Sequence, residues 1–249
     1  MTALKNSSTY IKQLVIILCT LCFQTSSFAQ EKTVDEILTE SQNTMQNFQN
    51  LSLDMKYNWY ETYTAEKPSI SYLGSLIKFE QTMYSKINNT FFITDSKLHM
   101  AIKCNEAEKA FIITNNMEAS ENQSPLELLN MFIKQFKVKN VKDHGDQWMC
   151  TLTTDVITQL PYGKVEIYIN KETALVEKQV LYFLSRVPYT DEKGEKKVGN
   201  PRMEITLSNY KTKLSEDEKI ITKIASYIKK NGQEIVPTTA YKEFKISQY

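Results

Sequence analysis

Between Leu51 and Trp59 apolar and polar residues alternate without a break: Leu51, Leu53, Met55, Tyr57 and Trp59 against Ser52, Asp54, Lys56 and Asn58. Successive side chains of an extended chain point to opposite faces, so this segment makes a strand with one buried face and one wet face. Further strand-like segments follow at 70–79, 82–87, 90–94, 97–104 and 109–114, separated by the turn formers Asn88-Asn89, Asp95-Ser96 and residues 105–108. They resume at 137–142, 147–153, 163–169, 174–184 and 202–211, and the short gaps between several of them predict antiparallel hairpins. Val180 to Leu184 is apolar on both faces, which places that strand in the sheet interior. Residues 220–228 and 241–246 are also compatible with strands.

One helix precedes this pattern and another interrupts it. Val34, Ile37, Leu38, Met45 and Phe48 recur at helical spacing behind the acidic Asp35, Glu36 and Glu40. Ser124-Pro125-Leu126-Glu127 is a capping box with proline at the first helical position, and Leu128, Leu129, Phe132, Ile133 and Phe136 form the apolar stripe behind it. Such a stripe covers one side of a sheet. The stretch 186–202, with Pro188, Gly194, Gly199, Pro201 and a charge cluster, predicts an exposed hairpin loop.

The first 29 residues have the form of an export signal: Lys5 and Lys12, an apolar run from Leu14 to Phe23, and the small residues Ser27 and Ala29 flanking Phe28. The run is about half the length needed to span a bilayer. Cleavage after Ala29 and a soluble periplasmic product are expected, with residues 31–249 as a single domain. Removing those 29 residues, Lys5 and Lys12 among them, from the 249 takes the net charge from +1 to −1. No excess charge is left for nucleic acid. Cys104 and Cys150 remain, each on the apolar side of its strand, either as core thiols or as a disulfide.

Catalytic patterns are scarce. The six glycines stand apart and form no phosphate loop, and no nucleophile elbow or zinc-binding helix occurs. His144 sits in the polar turn Asp143–Asp146, and His99 is on the polar side of its expected strand. No catalytic residue, metal ligand or cofactor is nominated. Large adaptable side chains instead recur on the strands, among them Met55, Tyr57, Trp59, Met83, Met100, Tyr182, Phe183 and Met203. They can fill a closed core or line a cavity for flexible apolar ligands.

The order of elements resembles the LolA/LolB-like family of periplasmic lipoprotein carriers. The leading helix, the strand run from Leu51 to Thr114, the helix at Ser124–Phe136 and the hairpin from Gly163 to Val176 carry the resemblance. It implies a mainly antiparallel β fold with a few helices (α+β), an incomplete β-barrel wrapped over those helices. It also implies a non-enzymatic carrier or sensor that shields lipid or lipoprotein acyl chains and meets an envelope membrane protein. Carriers of this family use an arginine in the N-terminal half for ligand release. Arg186 and Arg202 are the only arginines here, so no transfer residue is carried over and a divergent relative is implied. The positions expected to line the apolar interior are Leu53, Met55, Tyr57 and Trp59 on one strand, Leu98, Met100 and Ile102 on a second, and Leu128 and Phe132 on the helix. The alternative function is a structural or adaptor protein of an envelope or secretion assembly with a filled interior and no lipid.

Overall fold

In the computed structural model, residues 32–115, 125–154, 160–232 and 234–248 are described. The expected export signal and Ser124 of the expected capping box lie outside them. Helix α1 (Val34–Asn47) begins where the Thr33 hydroxyl accepts from the Glu36 amide, while the Glu36 carboxylate accepts from the Thr33 amide at 2.8 Å. This capping box satisfies two of the donors that a helix start leaves free. The chain then lays down β1 (Asn50–Tyr60), β2 (Ile70–Phe79), β3 (Thr82–Ile87), β4 (Thr90–Asp95), β5 (Met100–Asn105) and β6 (Ala110–Asn115) as a run of hairpins. Helix α2 (Pro125–Gln135) follows, then β7 (Val138–His144), β8 (Gln147–Thr153), β9 (Tyr162–Asn170) and β10 (Val176–Phe183). The stretch expected as an exposed hairpin is one, with β11 (Val187–Thr190) paired to β12 (Lys196–Gly199).

Strand β13 (Arg202–Lys211) returns between β10 and β1 and joins the two runs into one 12-stranded sheet. Its order is β16-β6-β5-β4-β3-β2-β1-β13-β10-β9-β8-β7, and its two outermost strands do not pair with each other. The sheet is therefore open, mainly antiparallel and not closed into a barrel. Val180 to Phe183 lies on an interior strand, as its two apolar faces require.

The C-terminal part departs from the expected strand at 220–228. Ser215 and Glu218 form a second capping box, Glu216 and Asp217 add negative charge to the same turn, and a short helix α3 (Glu216–Ile221) results, followed by a 3-10 turn at Ile224–Ser226. A small hairpin, β14 (Ile228–Asn231) and β15 (Glu234–Pro237), comes next. The strand expected at 241–246 starts only at Lys245, after a 3-10 turn at Thr239–Tyr241, and runs on to Gln248 as β16 (Lys245–Gln248), parallel to β6 at the sheet edge.

Register shows that the sheet is buried on different faces in its two halves. On β1 the buried Leu53 and Met55 pair with Leu76 and Gly74 of β2 and, for Met55, with Leu207 of β13, and this face packs on α1 and α2. On β3–β6 the buried residues are Tyr84, Phe91, Ile93, Ile102, Cys104, Phe111 and Ile113, all on the same face as Ile77 of β2. Ile77 follows Leu76, so its side chain points the other way. The second core therefore lies on the opposite face, covered by the C-terminal segment with Ile224, Tyr227 and Ile228. Strand β2 is the crossover: Leu76 at 0% and Ile77 at 4% exposure are buried on opposite sides.

Gly74 sits where β2 passes under Tyr57. A Cβ there would stand 2.6 Å from the Lys86 carbonyl oxygen and 3.3 Å from the Tyr57 ring. Backbone cannot move aside as a side-chain tip can, so Gly74→Ala is expected to destabilise the protein by about 1–3 kcal/mol in urea unfolding. An unchanged unfolding midpoint would show that β2 and β3 are not held this closely.

Candidate functional site

The helix-covered layer is built from the inward residues of β1, β13, β10, β9 and β8. Leu53 and Met55 are each 1% exposed and Tyr57 is 8% exposed. The Tyr57 hydroxyl donates to the Met55 sulfur at 3.3 Å, and burial pushes its pKa up. It stays neutral at any physiological pH, so the layer carries no phenolate. Above these strands α1 contributes Ile37 and Leu38, and α2 contributes Leu129, Phe132 and Phe136.

At the end of the sheet where β1 and β10 finish and β9 begins, the layer terminates in a row of aromatic rings. Trp59 meets Phe183 at 5.1 Å between centroids, Phe183 meets Tyr162 at 5.0 Å, Tyr162 meets Phe132 at 6.1 Å and Phe132 meets Phe136 at 5.9 Å. Offset and edge contacts at these separations are favourable, and neighbouring rings can shift without losing them all. Phe132 is fully buried, whereas Trp59, Tyr162 and Phe183 are half-buried. Beyond them the rim stays apolar and wet: Ile70 is 43% and Leu184 55% exposed. Gly163 is what allows the approach, because a Cβ there would lie 2.5 Å from Leu184 Cδ2.

Of the positions expected to line one interior, Leu53, Met55, Tyr57, Trp59 and Phe132 are brought together here. The side chain of Leu128 lies outside the described residues. The second strand is corrected. Asp95 Oδ1 accepts from the Lys97 and Leu98 amides at 2.9 and 3.0 Å, His99 adopts a left-handed φ of 48°, and pairing begins only at Met100. Leu98 is thus a turn residue, 56% exposed, and not a strand residue on a buried face. Met100 and Ile102 do share a face, but they belong to the core on the other side of the sheet. Tyr162, absent from the expected set, could have been found as the first aromatic after Pro161, next to a glycine.

The two thiols are separated by the same geometry. Cys150 belongs to the helix-covered layer and Cys104 to the opposite core, both free and fully buried, with pKa pushed up to about 12 by burial. The disulfide left open by the sequence does not form, and neither thiol is a nucleophile at neutral pH. Among the described residues no group of three or more His, Cys, Asp or Glu side chains is placed to hold a metal ion.

No family model and no curated protein matches the chain. Solved structures similar to it include a DUF1329 family protein from Desulfovibrio piger (12% identity, TM-score 0.40, 77% of this chain and 96% of that one). Another is an outer membrane lipoprotein-sorting protein domain from Vibrio parahaemolyticus (12% identity, TM-score 0.34, 74% of this chain and 94% of that one). A third is a LolA superfamily protein from Nitrosomonas europaea (14% identity, TM-score 0.34, 77% of this chain and 98% of that one).

Proposed function

We propose that the protein is a non-enzymatic, exported carrier or sensor in the periplasm, and that its helix-covered layer takes the acyl chains of lipids or lipoproteins. The observation that carries this reading is the aromatic row ending at a wet apolar rim. An interior sealed for stability alone gains nothing from Ile70 in water opposite Trp59 or Leu184 in water against Gly163, whereas an entrance for an alkyl chain needs such a rim. Leu53, Met55, Tyr57, Trp59 and Phe132 are its proposed contacts. Thioether and aromatic side chains suit ligands of varied shape, since they repack at little cost. An envelope membrane protein is the proposed partner that delivers or receives the chain.

Trp59 supplies a direct test. With Trp148→Phe, the second of the two tryptophans is removed and Trp59 reports alone. A bromine-labelled acyl methyl ester is expected to quench its fluorescence saturably, and Phe183→Ala to weaken that binding about tenfold, the loss of one good aromatic contact. Absence of quenching in the single-tryptophan protein would overturn the carrier reading and leave the adaptor.

A further inference from the structure

The face of the sheet turned away from the helices carries one cross-strand row that differs from its neighbours. Register runs it unbroken over seven strands, from Leu73 of β2 and Lys56 of β1 through Lys178 of β10 and Tyr168 of β9 to Lys142 of β7, with only Thr206 and Met149 between them. Six interstrand steps make the row about 29 Å long. It contains three lysines and no carboxylate, although the protein as a whole is close to neutral. None of the three lysines forms an ion pair among the described residues. Lys56 and Lys142 are exposed, and the Lys178 ammonium lies 3.9 Å from the centre of the Tyr168 ring.

The carboxylates beside this row have partners of their own. On one side Glu166 accepts from Lys164 and from the Tyr182 hydroxyl, both at 3.0 Å, and Glu204 accepts from Arg202 Nε at 3.1 Å and from the Tyr60 hydroxyl at 3.3 Å. On the other side Asp54 accepts from the Asn209 side-chain amide at 2.7 Å, and Glu177 from the side-chain amides of Gln147 and Asn170. The lysines of the row are thus left without a counter-charge. Apolar side chains stand at both of its ends. Leu73, next to Lys56, is 75% exposed, the most exposed large apolar side chain among the described residues, and Val138, on the same strand and face as Lys142, is 50% exposed. Cations beside wet apolar groups match the boundary of an anionic bilayer, where ammonium groups meet phosphates and apolar groups enter the acyl region. An anionic polysaccharide would answer the lysines and leave Leu73 in water.

We propose that this row docks the protein on an anionic lipid surface, with Lys56, Lys142 and Lys178 on the head groups and Leu73 inserted beside them. Trp59 lies three residues beyond Lys56, about 10 Å along the strand, so docking brings the proposed entrance close to a source of acyl chains. That link rests on the carrier reading, whereas the docking itself does not. In sedimentation with vesicles, the protein purified after export is expected to bind those containing phosphatidylglycerol and not those of phosphatidylcholine alone, and to be released by high salt. Lys56→Gln and Lys142→Gln, at exposed positions that folding tolerates, are each expected to weaken binding about fivefold. Leu73→Ser is expected to weaken it about tenfold. Equal binding to both kinds of vesicle, or binding that survives the two lysine changes together, would overturn the docking row. So would binding that ignores Leu73→Ser, and polygalacturonate competing for the lysines would then name an extended polyanion as the occupant. Quenching of Trp59 by the bromo ester without vesicle binding removes the docking and leaves the carrier. Lysine-dependent vesicle binding without quenching does the reverse.

Discussion

Met55→Glu is expected to leave little folded protein. The Met55 side chain is 1% exposed, flanked on the sheet by Leu207 and Gly74, with the Tyr57 hydroxyl on its sulfur. A carboxylate there loses its water and gains no cation among its cross-strand neighbours. Either it ionises in a dry layer or it takes up a proton to avoid doing so, and both routes cost several kcal/mol against a typical total stability of about 5–15 kcal/mol. We expect a loss of about 4 kcal/mol or more, seen in far-ultraviolet circular dichroism and urea unfolding. The comparison that gives this result its meaning is Trp59→Glu. Trp59 is half-buried at the rim, so the new carboxylate can reach water. That variant is expected to fold and to lose acyl-probe binding. If Met55→Glu instead unfolds within about 1 kcal/mol of the wild type, then water reaches Met55 and the layer is far more open than its packing indicates.

Phe111→Ala has the second largest expected effect, and it acts on the other side of the sheet. The Phe111 ring is fully buried, with Phe244 at 5.0 Å, Tyr241 at 5.3 Å, Tyr227 at 6.3 Å and Phe91 at 6.5 Å between centroids. Three of those four rings come from the C-terminal segment, so Phe111 ties β6 to the residues that cover it. Truncation to alanine is expected to cost about 3–5 kcal/mol, the range for a large core aromatic. The loosening should fall first on β16, where hydrogen exchange of the Ile246 amide is expected to accelerate. Quenching of Trp59 by an acyl ester should be unchanged wherever the variant is folded, because the two cores are on opposite faces. A parallel loss of quenching would show that the faces are coupled through β2.

Parity was readable in the segments that do form strands. Leu53, Met55 and Tyr57 share a buried face, as do Ile102 and Cys104, and so do Cys150 and Leu152. The short helix α3 was misread because Ile220 and Ile221 are β-branched, while the Ser215–Glu218 capping box that decides the matter lies upstream of them. Leu98 was misread for a similar reason. Alternation continues from 98 to 104, but the Asp95 side chain occupies the amides that a strand would have offered to its neighbour.

From the residues alone follow the antiparallel strands, the two helices, the exposed hairpin at 187–199 and the poverty of catalytic groups, because each depends on a period or on local turn and cap chemistry. Which buried faces belong together was decided only by the tertiary structure. Parity relates residues within one strand, whereas relating two strands needs their register and everything between them. Here the apolar side changes at Leu76-Ile77, two neighbouring residues buried on opposite sides of the same strand. That pair divides one sheet into two cores, puts Met100 and Ile102 on the far side from Met55, and keeps Cys104 and Cys150 apart.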